Sequence, residues 1–197
     1  MPESLSKPFS AAILLKFVKP AWFAVLPLLL VSLPPLEGAP GDGVDEREIF
    51  PTLALKVLKY VEWDGQAKVE LGQRIRVGVY DRTRGKGYLQ MFSELCDKYP
   101  LAYELVELSG AAVDDLDFDL VYIAGKSKLP LDLLDSLAGK PVLVIGEHDS
   151  ILEKGGIIRL QVSSLRKPEY GINLKRAKDS GIKIESRLSR GAVELIR

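Results

Sequence analysis

The chain has 197 residues but only one cysteine, one histidine and no excess of either charge. Each scarcity removes a class of function. Cys96 alone cannot close an internal disulfide, so a packed core must hold the fold, and the thiol can at most link two copies. Its place beside Leu95 in a helical pattern favours a buried thiol. His148 alone cannot provide the two or three His or Cys ligands of an ordinary zinc site. With 27 basic and 27 acidic side chains there is no electrostatic footprint for nucleic acid. The G-x-x-x-x-G-K-[ST] phosphate loop, the G-x-G-x-x-G dinucleotide pattern and the G-x-S-x-G nucleophile elbow are all missing from the sequence. The expectation is a binding protein with no catalytic residues, no metal and no cofactor.

The front of the chain carries Lys7, Lys16 and Lys19 against Glu3, then the uncharged run "AWFAVLPLLLVSLPPL" over residues 21–36, then the small, turn-prone "EGAPGDG". A basic segment, an apolar segment and small residues in that order make a secretory signal. The run falls short of the ~20 residues a spanning helix needs. Pro27, Pro34 and Pro35 interrupt it further. A cleavable leader over residues 1–39, cut near Gly38 or Ala39, is therefore favoured over an uncleaved anchor. Residues 40–197 then form one near-neutral domain, large enough to bury roughly 70% of its surface without staples.

Within that domain, residues 45–61 repeat apolar groups at Ile49, Leu53, Val57 and Tyr60 or Val61, one face of a helix that ends in "KYVEW". Pro51 suits a first turn, so the helix is expected to begin near Phe50. Strands are read at 74–80, 101–108, 118–125 and 141–147, with helices at 88–99 and 129–140 between them. "HDSILEKGG" reads as a short helix closed by Gly155 and Gly156, with Asp149 or Ser150 as its cap. Two strands near 156–174 are expected to pair, and residues 182–196 to begin as a strand and finish as a helix along Leu188, Ala192 and Leu195. Alternating helices and strands predict a single α/β domain with a mixed, mainly parallel β-sheet flanked by helices.

Several clusters were weighed as sites. Arg82, Arg84 and Lys86 lie with two glycines in the loop "DRTRGKG" after a strand, where α/β folds bind ligands, and could hold an anion; a solvated basic turn is the simpler reading. His148 in "GEHDS" could join that site, although a polar loop is simpler. Asp114, Asp115, Asp117 and Asp119 lack the glycine and terminal glutamate of a calcium loop. Tyr60 and Trp63, flanking Glu62, could anchor a ligand or partner, but packing over the sheet edge is favoured.

Six segments in order, "YVEW", "IRVGVY", "DLVYIAG", "GKPVLVIGE", "EKGGIIRL" and "YGINLKRAKDSGIKIESRLSRGAVEL", resemble the YfiR-like family of exported bacterial regulators over residues 46–196. The signature positions are Tyr60, Glu62, Trp63, Gly155, Gly156 and Asn173, expected to be structural. The resemblance implies a periplasmic protein, often a homodimer, that binds the periplasmic sensor region of a membrane-anchored diguanylate cyclase and holds it inactive, so that cyclic di-GMP and biofilm formation depend on the complex. As nothing follows the domain here, action in trans is expected. The alternative is a small-molecule or anion-binding sensor subunit serving another membrane receptor, such as a histidine kinase. Family members often carry a Cys where this chain has Phe118, which excludes redox control through an internal bridge. Gly191 falls inside the expected closing helix, where it suggests a kink.

Overall fold

The computed structural model describes residues 45–64, 74–83, 87–98, 101–108, 117–126 and 128–197. The expected leader, Arg84, Lys86, Asp114 and Asp115 lie outside these residues. Helix α1 (Glu46–Val57) starts at the Asp45 side chain, which accepts from the Arg47 amide. Pro51 sits well inside it rather than in its first turn. The buried stripe runs through Phe50, Ala54 and Val57, with Ile49 and Leu53 only partly covered, so the core face is rotated from the expected one.

The helix does not continue into "YVEW". A single 3-10 turn, Leu58–Tyr60, leads into strand β1 (Val61–Trp63). β1 pairs antiparallel with β8 (Ile182–Ile184), which places Glu62 opposite Lys183 and Trp63 opposite Ile182. The local pattern is compatible with either state. The distant β8 decides for the strand, because the ladder supplies partners for backbone groups that a helix end leaves open.

The main sheet has the order β3-β2-β4-β5-β6-β7-β9. Strands β2 (Arg74–Asp81), β3 (Ala102–Glu107), β4 (Leu120–Ala124), β5 (Leu143–Gly146) and β6 (Ile158–Val162) run parallel to one another. β7 (Pro168–Asn173) is antiparallel to β6, and β9 (Glu194–Ile196) returns parallel to β7. The sheet is thus mixed and mainly parallel. Alternation puts Leu120 and Tyr122 of β4 on the face covered by α1 and α2 (Tyr88–Cys96). Val121 and Ile123 face the opposite layer, with α3 (Leu131–Ser136) and Ile151. β4 is buried along its whole length, as a strand covered on both faces must be.

Three expectations in the C-terminal third fail. Residues 149–155 form consecutive turns, not a helix, so Asp149 and Ser150 cap nothing; the Ser150 amide instead donates to His148 Nδ1 at 3.1 Å. Gly155, at φ 107°, and Gly156, where a Cβ would come 2.5 Å from Ile151 Cγ1, end these turns. The closing segment is a short helix α5 (Ser186–Gly191) followed by β9, not one long helix. Gly191 ends α5 because the Tyr170 hydroxyl occupies the space its side chain would need, while donating to the Leu188 carbonyl at 2.9 Å.

Candidate functional site

The chain leaves β2 through α2 to β3 on one side, and leaves β4 through α3 to β5 on the other. The carboxyl ends of β2 and β4 therefore flank a topological switch point, the position where open α/β sheets place ligands. Here the protein fills that position with its own side chains.

Glu147 follows β5 directly and is 2% exposed. Tyr88, the first residue of α2, donates through Oη to Glu147 Oε2 at 3.1 Å. Tyr122 of β4 donates to Oε1, and the Gly125 amide to Oε2 at 3.0 Å. Phe92 packs edge-on against the Tyr122 ring, with centroids 5.0 Å apart. Burial pushes the Glu147 carboxyl above its ordinary range, and the three donors pull it back in part. Burial and the neighbouring Glu147 push both tyrosine hydroxyls up, so they stay protonated donors. The rim is also polar. Asp81, ending β2, accepts from the Thr83 amide at 2.8 Å and the Tyr88 amide at 3.3 Å. Glu46, at the start of α1, pairs with Lys126 at 3.2 Å. The cluster is a saturated polar joint tying α2, β4 and β5 together, and a carboxylate with all its donors in place is a poor base or nucleophile.

The expected anion loop is only partly placed. Arg82 is exposed, its guanidinium 5.4 Å from the Tyr80 ring centroid. His148 is half-buried after β5 and takes its hydrogen bonding from Ser150. β4 lies between the strands that carry these two residues. Asp119 is tied into the sheet, accepting from the Arg76 amide at 2.8 Å. Among the described residues no group of three acids, histidines or cysteines could hold a metal. Cys96 is half-buried rather than fully covered, and burial pushes its thiol up to about 12.

Several signature positions make contacts within the fold. The Tyr60 carbonyl accepts from the Glu185 amide at 2.9 Å, and Glu62 pairs with Lys183 at 3.3 Å. Asn173 caps α4 (Leu174–Asp179) by accepting from the Arg176 amide at 2.8 Å. Its Nδ2 donates to the Leu152 carbonyl, also at 2.8 Å. Arg176 then reaches the Gly155 and Leu137 carbonyls at 3.1 and 3.2 Å. Glycine turns, cap and arginine thus form one joint between the turns, α3 and α4. Tyr88 and Tyr122 were read from sequence only as members of apolar segments. The signal that could have found the cluster is a glutamate directly after the buried run "VLVIG", with a tyrosine inside "DLVYIAG".

Fold and joint define a doubly covered α/β domain whose switch point is closed from within. The YfiR/HmsC-like family model matches residues 52–192, and the chain belongs to that family. The family is regulatory rather than catalytic. No curated protein matches the chain. Among solved structures, a conserved domain protein from Vibrio cholerae O1 biovar El Tor N16961 is similar at 13% identity and TM-score 0.51, covering 76% of this chain and 60% of its own. The ABC domain in complex with L-Trp from Streptococcus pneumonia is similar at 12% identity and TM-score 0.50, covering 62% and 56%. This chain therefore spans less than two thirds of either protein, and at such identities the likeness concerns the fold alone.

Proposed function

We propose that the protein is an exported regulator that docks on the periplasmic sensor region of a membrane-anchored diguanylate cyclase, or a membrane signalling protein of that kind, and holds it inactive. The observation that carries this reading is the family match over residues 52–192. The closed switch point supports it, because the usual ligand position of the fold is taken by Glu147, Tyr88 and Tyr122. Restraint by docking needs only that the protein bind one state of its partner better than another; a tenfold shift requires ~1.4 kcal/mol of differential affinity. Residues 1–39 act as the leader, with cleavage near Gly38 or Ala39, and the protein works as a homodimer. Deleting the gene should raise cellular cyclic di-GMP. The full chain should restore the level, and a version lacking residues 1–39 should not. Unchanged cyclic di-GMP in the deletion strain rejects the reading, while N-terminal sequencing of the exported protein checks the cut.

A further inference from the structure

At the opposite edge of the sheet, where β2 begins and the chain enters β4 and β5, lies a cavity of about 410 Å³, within the ordinary range for small-molecule sites. Trp63 and Arg76 form part of its wall, and each carries a buried donor with no hydrogen bond among the described residues. Trp63 is 5% exposed, and among the described residues its indole Nε1 has no acceptor. A buried indole N–H usually has one. Arg76 Nε lies 3.4 Å from Glu104 in an ion pair whose alignment falls short of a hydrogen bond. Arg74, also lining the cavity, meets the same Glu104 oxygen at 3.0 Å. Two guanidinium groups thus share one carboxylate, which leaves one positive charge at the arginine end of the cavity, facing the aspartates elsewhere in its lining. Phe118 lies under the Arg76 guanidinium, 5.6 Å from ring centroid to carbon, and holds its plane in place.

The same wall sets an upper limit on negative charge. Asp64, Asp117 and Asp119 line the cavity too, and would repel a dianion or a phosphate while accepting from a donor group. We propose that this cavity binds a small organic monocarboxylate bearing a hydroxyl or ammonium group, its carboxylate toward Trp63 and the arginines and its donor toward the aspartates. The site is distinct from the Arg82–His148 edge. It goes beyond the docking reading and does not depend on it: binding is measured on the purified chain and cyclase control in cells, so either can fail alone.

The sequence contains two tryptophans, so in the full chain carrying Trp22→Phe the emission comes from Trp63 alone. That protein is titrated with γ-aminobutyrate, 4-hydroxybutyrate, acetate, succinate and inorganic phosphate, following emission and melting temperature. The expected result is a saturable emission shift and a raised melting temperature with the first two. Acetate should bind about tenfold more weakly, and succinate and phosphate should not saturate. Arg76→Gln should weaken binding by about tenfold or more, with Arg74→Gln as the exposed substitute if Arg76→Gln does not fold. Trp63→Phe should lose the ligand-induced rise in melting temperature. No saturable response to any probe, tightest binding to succinate or phosphate, or unchanged affinity in the arginine variant would each overturn the proposal.

Discussion

The two edges of the main sheet differ in one respect that organises the molecule. At the carboxyl edge, Glu147 is met by two hydroxyls and an amide. At the amino edge, Trp63 Nε1 and Arg76 Nε are buried without a hydrogen bond among the described residues, beside an open cavity. Burying a polar group is tolerable when it is paired and costly when it is not. The first edge therefore behaves as a structural joint, while the second leaves buried donors unmet among the described residues.

The largest effect should come from breaking the joint. Glu147→Ala strands three buried donors, each costing roughly 1–3 kcal/mol, so urea unfolding should show a loss of roughly 3 kcal/mol or more. Tyr122→Phe removes one charge-assisted bond and keeps the ring against Phe92; a loss of about 1.5–3 kcal/mol is expected. The opposite edge should respond less. Trp63→Phe deletes a donor with no hydrogen bond among the described residues, so in the unliganded protein it should cost chiefly packing, about 1.5 kcal/mol or less. A Trp63→Phe loss as large as that of Glu147→Ala would erase the contrast between the edges.

The pH dependence sharpens the same contrast. The Glu147 carboxyl is raised above its ordinary 4.5 in the folded protein. The native state therefore holds this proton more tightly than the unfolded chain does. Its contribution is fully present below 4.5 and is lost as pH rises through the folded value. Glu147→Gln does not titrate, so the difference in unfolding free energy between wild type and Glu147→Gln should move against the wild type as pH climbs above 4.5. A difference that stays flat, or moves the other way, contradicts a raised carboxyl. This effect should be the smallest of the four, because the tyrosines and the Gly125 amide offset part of the burial.

Much of this architecture is legible in the chain. The alternation in "RIRVGVY" and the near-continuous apolar run "DLVYIAG" identify β2 and β4, because a strand covered on both faces has few other compositions. Where the reading went wrong, a distant segment settled the outcome. "YVEW" looks like the end of a helix until β8, more than a hundred residues away, is laid beside it. Gly191 looks like a kink until the Tyr170 hydroxyl is seen to need its space. His148 stood out because it is unique, yet the buried titratable centre of that edge is its neighbour Glu147.

Periodicity and motif order determined the class of fold and the family, since these depend on residues close together or on one repeating face. Tertiary structure alone decided which polar groups are satisfied. A hydrogen bond between Tyr88 and Glu147 spans 59 positions in sequence, and no local pattern pairs its two ends. That Trp63 Nε1 has no partner among the described residues is likewise a property of what the fold brings near it, not of the tryptophan.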